Sequence, residues 1–237
     1  MGCIYVVRHG QASALSDDYD QLSAKGELQS QVLGQYLAAQ QLTVNNVISG
    51  TMKRHQQTSA LALQSLPQLS LSAQWPELNE LDHQNIIANY DPRFSSASAM
   101  LPFAKQADNP KTFFLETFGL AIQKWTQSTD SHGYSETWPQ FVSRMNNALN
   151  KLINHANTHG NVMAFSSGGP ISLFCCQALG IPLTQFLKVN QTLVNAGLTK
   201  FITNKQGQLK LSTLNQHHYL ESPHANTPEH TTLITYT

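Results

Sequence analysis

The sequence predicts an α/β fold, a three-layer α-β-α sandwich with a mostly parallel central sheet, late antiparallel strands and a cap-like insertion. Three observations predict it. Short apolar runs alternate with segments of helical periodicity, as they do in proteins built from βαβ units. The first run, residues 3–7, is apolar throughout, which is typical of a strand buried on both faces. Near the other end, two strand-like segments flank the turn Asn-Lys-Gln-Gly, which indicates an antiparallel hairpin.

Periodicity and turn residues place the individual elements. Ser23 is a favourable N-cap for the first helix, and Pro67 ends the second. We expect strands at residues 3–7, 45–49, 69–75, 161–165, 192–203 and 208–214. We expect helices at residues 24–40, 52–66, 139–157 and 168–179.

The segment from about residue 81 to 136 interrupts this alternation. It combines proline- and serine-rich turns with many aromatic residues, and we interpret it as a cap-like insertion of short helices. An insertion beside a site is where substrate selectivity usually lies. With 237 residues, the chain is predicted to form a single domain, residues 1–237, with a loose tail at about 216–237.

The charge composition limits the kinds of partner that the protein is expected to bind. The formal net charge is +0 and only 12% of the residues are charged, against a usual share of about 25%. Such a balance disfavours nucleic acid and anionic membranes as partners. No signal peptide or transmembrane run is evident, and the three cysteines lack metal-binding spacing. We therefore expect a cytoplasmic protein that needs no metal or organic cofactor.

The first strand is followed directly by Arg8, His9 and Gly10. Ligands of open α/β sheets bind at the carboxyl ends of the strands. The guanidinium of arginine suits phosphate, histidine can act as a nucleophile, and glycine lets the backbone approach a ligand. These three residues predict a phosphoryl-transfer site, whereas the alternative interpretation is a polar turn.

A second arginine, Arg54, follows the second strand at the predicted start of a helix. A helix start offers free N–H groups and the positive end of the helix dipole to an anion. Two arginines from two strand ends could clamp one phosphoryl group. A solvated surface turn is the alternative for this position.

These segments together resemble the histidine phosphatase superfamily, also called phosphoglycerate mutase-like. The matching motifs, in order, are V-V-R-H-G, L-S-A-K-G-E-L-Q-S, S-G-T-M-K-R-H-Q-Q-T-S, L-N-E-L-D-H and F-S-S-G-G-P-I. The resemblance implies a phosphomonoester phosphatase in which His9 becomes phosphorylated. It also implies that Arg8 and Arg54 bind the phosphoryl oxygens and that Glu80 protonates the leaving oxygen. An ion pair between Glu80 and Arg54 is the structural alternative, and Asp82 is the second candidate for the acid.

The chain departs from the family at residue 167. Where the family has a second histidine in S-H-G-G, this chain has Ser167, which can donate a hydrogen bond but carries no positive charge. Loss of a positioned donor typically costs roughly 100- to 1,000-fold in rate. His83, just past Glu80, is our candidate for a relocated histidine, with an exposed loop residue as the alternative. A non-catalytic phospho-ligand binder and a sugar-phosphate mutase remain alternative functions, and the substrate and oligomeric state are open.

Overall fold

The structure is a computed structural model that describes residues 2–13, 20–129, 133–221 and 233–236. The strands within these ranges are β1 (Gly2–Arg8), β2 (Asn46–Ser49), β3 (Leu71–Gln74), β4 (Val162–Ser166), β5 (Leu198–Thr203) and β6 (Leu209–Gln216). The α-helices are α1 (Ala24–Ala39), α2 (Lys53–Leu63), α3 (His83–Tyr90), α4 (Ala97–Gln106), α5 (Pro110–Gln127), α6 (Trp138–His159), α7 (Gly168–Leu179) and α8 (Phe186–Asn190). Short 3₁₀ helices cover Pro76–Leu78, Pro92–Phe94, Leu183–Gln185 and His218–Leu220.

The strands form one mixed sheet in the order β3-β2-β4-β1-β5-β6. The four strands from β3 to β1 are parallel, and β5 and β6 add antiparallel pairs at one edge. Helices connect the parallel strands, as right-handed crossover connections require. The predicted α/β class with late antiparallel strands is therefore confirmed.

The register brings three strand ends together. Arg8 at the end of β1 lies opposite Ser166 of β4, and Phe165 of β4 lies opposite Ser49 at the end of β2. The residues that follow these strands consequently emerge side by side at the carboxyl edge of the sheet. This edge is where open α/β sheets bind their ligands.

Alternate strand residues point to opposite faces, and one face packs on α1 and α2. Tyr5, Val7, Met163 and Phe165 belong to one buried cluster, which includes Leu33 of α1. The two helices approach closely, because a Cβ atom on Gly34 would lie 2.3 Å from the carbonyl oxygen of Ala62. Full burial of each large apolar side chain stabilises the fold by roughly 1.5–3 kcal/mol, before the loss of conformational entropy.

The chain divides into two compact units, one of residues 1–80 with 145–237 and one of residues 81–144. The second unit has its own aromatic packing, in which Phe94 meets the rings of Phe103 and Phe113 edge to face. The indole N–H of Trp125 donates to the carbonyl of Glu136 at 2.9 Å. This unit contains the predicted insertion at about 81–136, whose function as a cap remains a prediction.

Most element boundaries agree with the sequence to within a few residues, and two differ more. The second helix ends at Leu63 and not near residue 66. Residues 192–197, predicted as part of a strand, form turns in which Gly197 N–H donates to the carbonyl of Val194 at 3.0 Å. Ala196 there has a left-handed backbone, with φ of 58°. The backbone here does not pair as a strand of the sheet, because Asn195 N–H donates to the carbonyl of Thr235 and Ala196 N–H donates to the carbonyl of His9.

Of the tail predicted to be loose, residues 222–232 and 237 lie outside the described residues. Residues 233–236 are held by the body of the first unit. Gln29 Nε2 donates to the carbonyl of Leu233 at 2.7 Å, and Asn195 N–H donates to the carbonyl of Thr235 at 2.9 Å. Among the helices of the described residues, none is both long and apolar enough to cross a membrane.

Candidate active site

His9 lies at the carboxyl edge of the sheet, directly after β1, and its side chain is almost fully buried. Its Nδ1 lies 2.7 Å from the carbonyl oxygen of Gly10. A carbonyl can only accept, so Nδ1 must carry a hydrogen. In the neutral ring, Nε2 is then the nitrogen with a free lone pair, as a nucleophile needs.

The backbone of His9 is anchored on both sides. Its N–H donates to the carbonyl of Ser166 at 2.9 Å, and its own carbonyl accepts from Ala196 N–H at 3.1 Å and from Asn195 Nδ2 at 3.2 Å. These bonds tie the residue to β4 on one side and to the turn before β5 on the other. The imidazole therefore projects from a fixed backbone position.

The surroundings of His9 favour its neutral form. Burial, together with the positive charges of Arg54 and Arg8 and the nearby His55, holds the pKa of His9 well below its usual value. The hydrogen bond to Gly10 opposes this shift only in part. The ring is thus neutral at neutral pH, with its hydrogen on Nδ1 and its lone pair on Nε2.

Arg8, the last residue of β1, is oriented by backbone carbonyls that are distant in sequence. Its Nη1 donates to the carbonyl of Leu193 and, at 2.9 Å, to the carbonyl of Tyr236. The side chain is buried, so its charge acts in a poorly screened environment. The described end of the chain therefore helps to hold one of the two predicted phosphate-binding residues.

Arg54 occupies the second position of α2 and is also buried. Its Nη1 pairs with Asp20 Oδ1 at 2.9 Å, and the other carboxylate oxygen accepts from Lys53 N–H at 2.8 Å. The N-cap residue of this helix, Met52, makes no side-chain capping bond. The carboxylate of Asp20 instead accepts the first N–H of the helix from outside it. Asp20 thus both caps α2 and orients Arg54.

Gly10 is the point where the strand end meets α1. A Cβ atom placed on it would lie 2.4 Å from the carbonyl oxygen of Gly26. Its N–H donates to Thr58 Oγ1 at 3.0 Å, and this hydroxyl in turn donates to the carbonyl of Arg54 at 2.7 Å. Close packing accounts for the glycine here, and its predicted part in phosphate binding remains a prediction.

Glu80 follows the 3₁₀ helix after β3 and reaches the start of α7. Its two carboxylate oxygens accept the N–H of Gly169 at 3.2 and 3.1 Å. A carboxylate at this position is stabilised by the free N–H groups and by the positive end of the helix dipole. The predicted acid is therefore held beside Ser167, the N-cap residue of α7.

A second imidazole lies in the same region. The side chain of His55, on α2, is fully buried, and its Nε2 lies 2.6 Å from Ser167 Oγ. The ring centroids of His55 and His9 are 5.6 Å apart. Sequence reasoning used the segment around residue 54 for its arginine alone and missed His55. The signal was present, since the sequence has a histidine directly after Arg54 and a serine at residue 167, where the resemblance implies a histidine.

Comparison with known protein families identifies the family to which this chain belongs. The family model of the histidine phosphatase superfamily (branch 1) matches residues 4–89 and 111–217. The chain belongs to the histidine phosphatase superfamily. No protein of curated function matches the sequence significantly.

Solved structures share the superfamily fold at low sequence identity. The α-ribazole phosphatase from Shigella flexneri has a TM-score of 0.63 at 19% identity, covering 91% of this chain and 96% of that one. A phosphoglycerate mutase from Bacillus anthracis has a TM-score of 0.61 at 21% identity, covering 92% and 94%. A mycobacterial glucosyl-3-phosphoglycerate phosphatase has a TM-score of 0.60 at 18% identity, covering 91% and 99%. These likenesses support the fold assignment.

The remaining two candidates from the sequence, Asp82 and His83, lie in the second compact unit. Asp82 is the N-cap of α3, where one carboxylate oxygen accepts from Asn85 N–H at 3.0 Å and the other from Ser135 Oγ at 3.1 Å. His83 is the first residue of that helix and is half-buried. Their predicted catalytic roles remain predictions. Among the described residues, no group of three or more His, Cys, Asp or Glu side chains could hold a metal ion.

Proposed function

We propose that this member of the histidine phosphatase superfamily hydrolyses a small phosphomonoester through a phosphohistidine on His9. The observation that carries the proposal is the hydrogen bond from His9 Nδ1 to the carbonyl of Gly10, 2.7 Å long. It assigns the free lone pair to Nε2 in the neutral ring. The family membership supports the same chemistry.

In the first half-reaction, Nε2 of His9 attacks phosphorus and the ester P–O bond breaks. Arg8 and Arg54 neutralise the charge on the phosphoryl oxygens, and such fixed positive groups stabilise the transition state without reorganisation. Glu80 gives its proton to the leaving oxygen, so the alcohol departs neutral. The product of this step is phosphohistidine with an ionised Glu80.

In the second half-reaction, water attacks the phosphorus of the phosphohistidine. The Glu80 carboxylate takes a proton from this water, and the P–N bond breaks to release inorganic phosphate. His9 regains its lone pair, and Glu80 is protonated again for the next cycle. The hydrogen bonds from Gly169 to Glu80 support this role, because they hold the carboxylate at one place through both steps.

A base-quenched labelling experiment tests the proposal. The protein is mixed with para-nitrophenyl phosphate and quenched in alkali, which preserves the acid-labile P–N bond, and the phosphorylated peptide is located by mass spectrometry. We expect the label on the peptide containing His9, and we expect His9→Ala to reduce kcat roughly 10,000-fold or more. His159→Ala, which removes an exposed histidine at the end of α6, is the matched control and should retain full activity.

Phosphate calorimetry and an assay of nitrophenol release distinguish a phosphatase from a non-catalytic protein that only binds phospho-ligands. Wild-type protein that binds inorganic phosphate in calorimetry but releases no nitrophenol between pH 4 and 9 would be the non-catalytic phospho-ligand binder. Hydrolysis that survives His9→Ala, or a label on another residue, would contradict the assigned nucleophile. His83→Ala measured alongside tests the remaining prediction from the sequence, since a catalytic His83 requires a fall in kcat.

A further inference from the structure

His55 and Ser167 form a hydrogen-bonded pair beside the proposed nucleophile. Ser167 follows β4, and β4 is paired with β1 so that Ser166 lies opposite Arg8. Ser167 and His9 are therefore the next residues on two neighbouring strands, which run about 4.8 Å apart. His55 reaches the same place from α2 and brings its Nε2 to 2.6 Å from Ser167 Oγ.

The hydroxyl of Ser167 does not cap α7, although Ser167 is the N-cap residue of this helix. A serine N-cap normally accepts from the second or third N–H of its helix. Here Ser167 makes no such side-chain bond, because Glu80 accepts the N–H of Gly169 in its place. The hydroxyl of Ser167 is consequently available to bond with His55 on one side and with a ligand on the other.

The surroundings of His55 determine which of its ring nitrogens carries the hydrogen. Its Nδ1 faces Gly50, where a Cβ atom would lie only 2.1 Å from that nitrogen. Among the described residues, nothing forms a hydrogen bond with this buried Nδ1. A buried N–H without an acceptor is costly, so the hydrogen of the neutral ring belongs on Nε2. Burial and the charge of Arg54 hold the pKa of His55 well below its usual value, which keeps the ring neutral.

With its hydrogen on Nε2, His55 donates to Ser167 Oγ. The serine must then direct its own hydrogen elsewhere, and His9 lies nearby at the neighbouring strand end, with its ring centroid 5.6 Å from that of His55. We propose that His55 is a positioning residue that orients the Ser167 hydroxyl toward a phosphoryl oxygen, so that the pair replaces the second histidine that the family has at residue 167. The proposal rests on the proposed function of the site and adds a residue to it.

A matched pair of substitutions separates this role from packing. Met and Gln have similar length and volume, but only Gln carries an N–H donor near the position of Nε2. We expect His55→Met to lower kcat with para-nitrophenyl phosphate by roughly 10- to 100-fold, as for other groups that orient a ligand-binding residue. We expect His55→Gln to stay within about threefold of wild type, because the donor is retained. Circular dichroism and the thermal midpoint of each variant report whether it folds.

An exchange of the two residues provides a second test. Ser167→His alone places a large ring against His55 and should lower kcat, whereas His55→Ala with Ser167→His makes room for it. We expect the double variant to exceed the product of the two single effects by at least about tenfold, a coupling that additive effects would not produce. Recovery would show that one imidazole is needed and that either position can supply it.

Failure of this inference is distinguishable from failure of the proposed function. If wild type hydrolyses nothing, the proposed function fails, but calorimetry with inorganic phosphate still compares the Met and Gln variants. Equal behaviour of His55→Met and His55→Gln, in kcat or in phosphate affinity, would make His55 a packing residue only. A double variant without recovery would also overturn the inference. Full activity in His55→Met together with loss in His83→Ala would assign the second imidazole to His83 instead.

Discussion

The carboxylate of Glu80 accepts the N–H of Gly169 with both oxygens, at 3.2 and 3.1 Å. This relationship joins the segment after β3 to the first turn of α7, two residues after its N-cap Ser167. It gives the carboxylate a structural function as a helix cap in addition to its proposed catalytic one. The two functions respond differently to substitution, which makes them separable.

Glu80→Gln keeps a carbonyl oxygen for Gly169 but removes the transferable proton. We therefore expect a small change in stability and a loss of about 100- to 10,000-fold in kcat with phenyl phosphate, whose leaving group needs an acid. The loss with para-nitrophenyl phosphate should be much smaller, since that leaving group departs without a proton. Glu27→Gln, at an exposed position in the first turn of α1, is the control. If Asp82→Asn shows this dependence on the leaving group and Glu80→Gln does not, Asp82 is the acid.

The carboxylate of Asp20 pairs with the guanidinium of Arg54 at 2.9 Å, so we expect it to compete with a phosphate that binds there. Asp20→Asn keeps an oxygen for Lys53 N–H but removes the negative charge. We expect inorganic phosphate to bind about three- to tenfold more tightly, measured as the Kd in calorimetry. Stability should change by less than about 1 kcal/mol, because the Asp20 side chain is partly exposed. Weaker phosphate binding would instead mean that orientation of Arg54 by Asp20 matters more than competition.

Two buried neutral histidines make stability depend on pH. The pKa values of His9 and His55 in the folded protein are held well below about 6.5, the value expected in the unfolded chain. As the pH falls below about 6.5, the unfolded state takes up protons first, so the free energy of unfolding decreases. Each histidine contributes up to about 1.4 kcal/mol per pH unit, until the pH passes its folded-state pKa.

Urea unfolding at pH 7.5, 6.5 and 5.5 measures this loss. We expect His55→Gln to lower the stability at pH 7.5 only slightly and to reduce its decrease toward pH 5.5. His159→Ala, at an exposed position, should leave the decrease unchanged. An identical pH dependence in wild type and His55→Gln would show that His55 has the same pKa in the folded and unfolded states, and would contradict the shift.

Gly10 should not tolerate a larger residue. Gly10→Ala drives a Cβ atom to 2.4 Å from the carbonyl oxygen of Gly26, so the strand end or α1 must shift, at a cost of roughly 1–3 kcal/mol. Gly119→Ala is the matched control, because nothing lies within 4 Å of a Cβ atom there and the residue is inside α5. We expect that control to stabilise the protein by about 0.5–1 kcal/mol in urea unfolding. Equal effects of the two substitutions would refute the close contact at Gly10.

The sequence predicted the fold well because the fold depends on local patterns. The apolar run before Arg8, the cap at Ser23 and the hairpin turn at 204–207 each report on neighbouring residues, and the structure contains the corresponding elements. The strand predicted over residues 192–197 was wrong, because the backbone there forms turns in which Gly197 N–H donates to the carbonyl of Val194.

The site was predictable only in part. Arg8 ends a strand, His9 follows it and Arg54 lies in the first turn of a helix, so local patterns place them at one sheet edge. The partnership of His55 with Ser167 joins residues 112 positions apart, and no local pattern reports on such a pair. The pairing of Arg54 with Asp20 likewise joins residues 34 positions apart.

The hydrogen bond from Arg8 to the carbonyl of Tyr236 spans 228 positions of the chain. Contacts of such long range form late in folding, because the entropy of closing the intervening loop must be overcome first. A ribosome must also have synthesised residue 236 before Arg8 can have this acceptor. The body of the first unit can thus begin to assemble before residue 236 is synthesised, while the full set of bonds that orients Arg8 is complete only after it. On the proposed role of Arg8, we expect a chain that has not yet reached residue 236 to bind phosphate more weakly than the folded protein.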